Sequence, residues 1–200
     1  MLFWLALAAA VAWLLWYMVS IPGTSYAGPL RPLSAEEQKL EVNLRSHVAA
    51  VASREHNMEH PAALEAAARE IERALERLGY PVSAQRFRAS LGEARNIEVE
   101  IPGGARRQEI IVVGAHYDSV TGAPGANDNG SGVAALIELA RLMRDAKPER
   151  TLRFVWFVNE EPPYYKGEDM GSRRYARRSR ERSEQIVAMF SLETVGWYSD

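Results

Sequence analysis

Three polar side chains stand close together in the stretch Ile110 to Gly132, IIVVGAHYDSVTGAPGANDNGSG: His116, Asp118 and Asp128. An imidazole and a carboxylate can hold a divalent cation while a second carboxylate fixes the imidazole ring. The apolar run Ile110, Ile111, Val112 and Val113 has the length and β-branched content of a buried strand, and Gly132 opens a helical pattern. His116 and Asp118 therefore leave the carboxyl end of a strand, and Asp128 sits just before a helix. Open α/β sheets place their ligand sites at such strand ends. Residues two apart on extended chain point the same way, so His116 and Asp118 can act together. The competing reading is a polar loop capping a strand, with Asp128 as a helix N-terminal cap. On this stretch alone both stay open.

A second group of carboxylates follows. Thr151 to Val158 (TLRFVWFV) is another strongly apolar strand, and it ends in Asn159-Glu160-Glu161. Between the two strands, Val133 to Met143 reads as a helix with Val133, Leu136, Ile137, Ala140 and Met143 inward. Strand, helix and strand with short connections imply a parallel crossover, which would bring Glu160 and Glu161 to His116 and Asp128. Adjacent carboxylates are costly there unless a positive charge sits between them, and a divalent metal is the simplest candidate. A last strand, Ile186 to Leu192, ends in Glu193, another carboxylate at another strand end.

The elements that must position these groups begin upstream. Ser34-Ala-Glu-Glu37 matches a capping box, and Leu40, Leu44, Val48 and Val51 make one helical face, with His47 beside it. A second helix begins at Pro61 and ends at Gly79, with Leu64, Ala68, Ile71, Leu75 and Leu78 inward. Between them lies His56-Asn-Met-Glu-His60. Two His four apart can share zinc on a helix, but Asn57 stands where the zincin pattern needs Glu and Pro61 interrupts the helix. The motif reads as a structural loop. Val82 to Phe87 and Asn96 to Ile101 form a strand pair, and Pro102-Gly103-Gly104 turns into the central strand. Pro162 to Asp169 is a loop whose adjacent tyrosines form either a pocket wall or a packed surface. The arginine-rich helix from about Ser172 to Glu184 reads as a solvated face.

Bulk composition narrows the chemistry. Two hundred residues with 47% hydrophobic side chains suffice for one domain with a core. A net charge of -2 gives no pull toward nucleic acid. The absence of cysteine excludes disulfides and thiolate ligands, so any metal is held by His, Asp and Glu, a set that suits zinc. Met1 to Ser20 has no charged side chain and would span about 30 Å as a helix, the thickness of a bilayer core. Its aromatic far end (Trp13, Trp16, Tyr17) suits an interface. The stretch is expected to be a membrane anchor, with a cleaved signal peptide ending near Ser25-Tyr26-Ala27 as the alternative. Residues 21–33 read as a Pro/Gly linker, and residues 34–200 as the folded domain.

Taken together, GAHYDS, GANDNGSG, FVNEE, MGSRRYA and SLETVGWYSD resemble the M28 family of zinc peptidases, the co-catalytic metallo-aminopeptidases. The likeness runs from about Arg95 to Asp200 and includes RNIEVEIPG. It implies an α/β fold with helices around a largely parallel, mixed central sheet. It also implies two zinc ions: His116 and Glu193 on the first, Asp128 bridging, Glu161 on the second. Glu160 would be the general base, Asp118 would orient His116, and the Asp128-Asn129 peptide would be cis. The family usually has an acid of Asp's shorter reach where Glu193 stands. Its second metal also takes a later His, whereas this chain has only His47, His56, His60 and His116. The chain therefore reads as a fragment. The implied activity is hydrolysis of the first peptide bond of a substrate with a free N-terminus; separately, the N-terminal anchor is expected to hold the domain outside the cytoplasm. A glutaminyl-cyclase-like single-zinc acyltransferase and a non-catalytic binding module are the alternatives.

Overall fold

The strands alternate their side chains between two apolar layers, and this alternation makes the sheet the centre of the fold. In the computed structural model, which describes residues 2–20, 23 and 28–196, the chain divides into two compact units, Met1–Leu33 and Ser34–Asp200. The Ser25-Tyr26-Ala27 cleavage site, linker residues 21–22 and 24–27, and the final residues 197–200 lie outside the described residues.

The first unit contains helix α1 (Leu2–Val19), 18 residues without a charged side chain. Trp13 and Tyr17 stack near its end, with ring centroids 5.6 Å apart. At 1.5 Å per residue the helix is about 27 Å long, short of a hydrocarbon core of about 30 Å. Among the described residues no helix is long and apolar enough to cross a membrane, so the expected span over Met1 to Ser20 is not established.

The second unit opens with α2 (Ala35–Val51). Ser34 accepts the Glu37 N–H and Glu37 reaches back to the Ser34 N–H, the expected capping box. Helix α3 (Pro61–Arg77) carries Pro in its first turn, where a missing N–H costs nothing. Five strands follow: β1 (Ser83–Ala89), β2 (Gly92–Ile101), β3 (Arg106–His116), β4 (Arg150–Phe157) and β5 (Gln185–Ser191). Helix α4 (Gly132–Met143) joins β3 to β4, and α5 (Gly171–Glu181) joins β4 to β5. Strand order is β1-β2-β4-β3-β5. The β3–β4 and β3–β5 pairs are parallel, as the crossover required, while β1–β2 and β2–β4 are antiparallel. The sheet is thus evenly mixed rather than largely parallel. The departure comes from the β1–β2 hairpin, which joins β4 in the antiparallel sense.

Each central strand is buried on both faces. Phe154 and Trp156 of β4 pack with Leu64, Ile71 and Leu75 of α3 and Val133, Leu136 and Ile137 of α4. Val155 and Phe157 face the other way, onto Ile110, Val112 and Tyr175 of α5. Each fully buried large apolar side chain contributes about 1.5–3 kcal/mol, which fixes the sheet between its helical layers. The arginines of α5 are not simply solvated. Arg174 pairs with Asp169 at 2.8 Å, Arg178 with Glu98 at 2.6 Å, and Arg177 with Glu168. Strand β5 lies at the sheet edge, and its Val187, Met189 and Phe190 are exposed.

The helical layer contains one buried acid. Glu138 of α4 accepts hydrogen bonds from Arg141 Nε (2.8 Å) and Asn43 Nδ2 (3.2 Å) and lies 3.4 Å from His47 Nε2. Burial pushes its pKa up, but Arg141, Asn43 and His47 together outweigh burial and hold it below the ordinary 4.5. A depressed folded-state pKa stabilises the protein fully above the unfolded value, and that stability is lost as pH falls through the folded value. Glu138→Gln is expected to cost about 1 kcal/mol at pH 7 and to flatten the decline in stability below pH 4.5. Urea unfolding across that range checks it; an unchanged acid slope contradicts the assignment.

Candidate metal centre

Three strand ends and one irregular turn meet at a single place. β3 runs into it through Gly114, Ala115 and His116. Gly114 is required by close packing, because a Cβ there would lie 2.5 Å from the Phe157 ring. The Tyr117 N–H continues the pairing onto the Phe157 carbonyl at 2.8 Å, one residue past the end of β3. β4 delivers Glu160 and Glu161 through Asn159, whose φ of +59° turns the chain sharply. Asn96 secures this end by accepting the Val158 N–H (3.1 Å) and donating to the Gly171 carbonyl (2.8 Å).

Asp128 lies in the turn Ala126–Ser131, with φ -108° and ψ 98°, outside helical geometry. It precedes α4 as expected, and the Asp128-Asn129 peptide is cis, also as expected. Asn129 is buried and holds the turn against the end of β5. Its amide donates to the Leu192 carbonyl at 2.7 Å, and its oxygen accepts from Gly132 N–H (3.0 Å) and Thr194 N–H (3.3 Å). Gly132 must be small here, since a Cβ would sit 2.5 Å from the Leu192 carbonyl oxygen. Glu193 follows directly.

His116 is 2% exposed and forms the hub. Its Nε2 lies 3.0 Å from Asp128 Oδ1, 3.4 Å from Glu193 Oε2 and 3.9 Å from Glu160 Oε2. Donor atoms of His116, Asp128 and Glu161 all fall within 4.8 Å of one another, the spacing one cation needs. Of the four expected ligands, His116, Asp128 and Glu161 form this set, while Glu193 stands beside His116 and Asp118 and Glu160 lie around them. None of the other three histidines joins the three-donor set. His47 lies against Glu138, His60 against Glu55 at 3.4 Å, and His56 is buried in the loop, as the loop reading of that motif held.

Asp118 differs in detail from its expected role. The closest oxygen to His116 Nδ1 is the Asp118 backbone carbonyl at 3.1 Å, with the carboxylate farther at 3.5 Å. The two carboxylate oxygens instead accept the N–H groups of Glu160 and Glu161, each at 3.0 Å. Asp118 therefore joins the β3 end to the β4 end. Tyr164 packs against the core, and it also lines a small cavity beside Asp118 and Glu161, so both readings of its loop hold in part.

Electrostatics mark the cluster as short of positive charge. Burial works against a charged His116, yet Asp118 and Glu193 outweigh it and push the imidazole up to about 11. Burial and then Asp128 raise Glu161 to about 7, and burial together with Glu193, Asp118 and Asp128 raises Glu160, although His116 opposes the shift. A divalent cation relieves this crowding, and one nitrogen with several carboxylate oxygens is a donor set that zinc accepts. The residues present fit a metal.

The profile of Peptidase family M28 matches residues 96–200. The chain belongs to peptidase family M28. It is 38% identical over 128 residues to "Uncharacterized protein YfbL" of Escherichia coli K12, covering 60% of this chain and 38% of that one. It is 35% identical over 101 residues to "Aminopeptidase YwaD" of Bacillus subtilis, covering 50% of this chain and 21% of that one. The chain thus spans well under half the length of these curated relatives. In fold it is similar to a glutaminyl cyclase from an Acidobacteriales bacterium (TM-score 0.68, 23% identity, 87% of this chain and 64% of that one). It is also similar to a leucine aminopeptidase precursor from Bacteroides thetaiotaomicron (TM-score 0.62, 22% identity, 79% of this chain and 62% of that one).

Zinc is expected to raise the thermal midpoint of this chain in a concentration-dependent way, because only the folded state gathers these donors. His116→Ala and Asp128→Asn should each remove most of that rise. Differential scanning calorimetry checks it, and an undiminished rise in either variant contradicts the ligand set.

Proposed function

We propose that this chain carries the metal site of a zinc exopeptidase, an aminopeptidase that cleaves the first peptide bond of a substrate with a free N-terminus. One observation carries the reading: the donors of His116, Asp128 and Glu161 converge within 4.8 Å at adjoining strand ends. Membership of peptidase family M28 and relatives named as aminopeptidases support it.

In this reading His116, Asp128, Glu161 and Glu193 would hold zinc, two ions in the complete protein. The bound metal would polarise a carbonyl and make water more acidic. The chain's own residues do the rest. Glu160 takes the proton from the attacking water and later hands it to the leaving amine, as one carboxylate placed beside the ligands can do in both directions. Its backbone is held by Asp118, which keeps the carboxylate at the edge of the site. Asp118 also receives the Nδ1 side of His116 through its carbonyl, so that Nε2 is presented to the metal.

The localisation proposal rests on α1. An uncharged helix with stacked aromatic rings near one end suits attachment to a membrane, with the catalytic unit on the extracytoplasmic side. Cleavage and secretion is the competing outcome. Fractionation of cells producing the full-length protein decides: α1 attachment places it in the carbonate-resistant membrane pellet, and recovery in the soluble fraction contradicts attachment.

Glu160→Gln is expected to retain zinc while losing about 10²–10⁴-fold in turnover on an aminoacyl-p-nitroanilide. Parental turnover in that variant would overturn the base assignment. Zinc stoichiometry on the full-length protein separates this proposal from a single-zinc acyltransferase: two ions are expected there, and one ion favours the acyltransferase.

A further inference from the structure

The turn Glu55-His56-Asn57 has no place in the reaction as described, yet it is buried against the site. His56 is 2% and Asn57 8% exposed, and they meet Ser119, itself 1% exposed. Three hydrogen bonds join this turn to Ser119, the residue directly after Asp118. The His56 N–H donates to Ser119 Oγ at 2.9 Å, the Ser119 N–H donates to the His56 carbonyl at 3.0 Å, and Asn57 Nδ2 donates to the Ser119 carbonyl at 3.1 Å. The turn is itself fixed. Asn57 Oδ1 accepts the Glu59 N–H at 3.0 Å, Asn57 Nδ2 also donates to Glu55 Oε1 at 2.9 Å, and the His56 ring is paired with the Arg54 carbonyl at 2.8 Å.

We infer that Asn57, acting through Ser119, is a positioning residue for Asp118, and so for the metal ligand His116 and for Glu160 and Glu161. The inference rests on the metallo-exopeptidase reading above. On one side of Asp118 the chain is tied to β4 by the Tyr117 N–H; on the other it is tied through Ser119 to this turn. With both neighbours held, the Asp118 carboxylate keeps its two oxygens on the Glu160 and Glu161 amides. The Asp118–Ser119 peptide is gripped by the His56 carbonyl, which accepts the Ser119 N–H, and Asn57 holds both the next carbonyl and the turn that carries His56. Losing Asn57 loosens that grip and with it the Asp118 carbonyl that meets His116 Nδ1. Partners one step removed from a metal typically change affinity or activity by about 10–100-fold when lost.

Asn57→Asp tests this in the full chain. The aspartate keeps the oxygen that accepts the Glu59 N–H but loses the N–H donors to Ser119 and Glu55. Expected results are a zinc affinity about 10-fold weaker, by competition with a chromophoric chelator, and a kcat about 10-fold lower with KM little changed. Ser119→Ala, which removes only the hydroxyl, should show a smaller loss in the same direction. Tyr80→Phe is the comparison for a purely structural loss: it removes a buried hydrogen bond to the Ala140 carbonyl away from the site and should leave zinc affinity and kcat unchanged. Parental zinc affinity and kcat in both Asn57→Asp and Ser119→Ala overturn the positioning role. A full-length protein that binds zinc but cleaves no peptide overturns the exopeptidase reading alone, and the zinc affinities still decide on Asn57.

Discussion

Both oxygens of one buried carboxylate, Asp118, accept the N–H groups of Glu160 and Glu161. This is the link between two strands that otherwise end independently. β3 brings the imidazole and β4 brings two acids, but parallel pairing alone aligns only their backbones. The Asp118 bonds extend that alignment beyond the ladder, into the loop that carries Glu160 and Glu161. Charge-assisted bonds to backbone amides are stronger than neutral ones, and both are sheltered from water here. Asp118 still faces the Nδ1 side of His116, while Asp128, Glu160 and Glu193 face its Nε2 side.

That residual crowding sets the second constraint. Four acids and one imidazole around a small volume are tolerable only with compensating charge, and the raised values of His116, Glu160 and Glu161 express the deficit. The rest of the fold is arranged to withstand it. Asn129 holds the Asp128 turn against β5, Asn96 holds the end of β4, and the sheet is buried on both faces beneath them. Stability invested in the core thus offsets repulsion concentrated at the strand ends.

Much of this was legible in the sequence because the governing patterns are local. The runs IIVV and TLRFVWFV announced doubly buried strands, and the acids following each of them announced a site. The capping box at Ser34 and the turn into α3 at Pro61 were equally local. What escaped depends on partners far apart in the chain. Asn129 meets Leu192 and Asn57 meets Ser119, contacts more than sixty residues apart for which no spacing rule exists. The spacing of Asp118 from His116 suggests that the two act together, but the use of its carboxylate on the Glu160 and Glu161 amides cannot be read from its neighbours. The antiparallel entry of β2 beside β4 was hidden for the same reason, since strand order is set by packing rather than pattern. The arginines of α5 looked solvated because their acids, Glu98 among them, belong to other elements.

The central claim is that these strand ends form a metal site, and zinc-edge anomalous diffraction from zinc-soaked crystals of the protein tests it most directly. The account predicts a strong anomalous peak about 2.0–2.2 Å from His116 Nε2 and from a carboxylate oxygen of Asp128. A map with its zinc peaks elsewhere, and none within reach of His116, would contradict it.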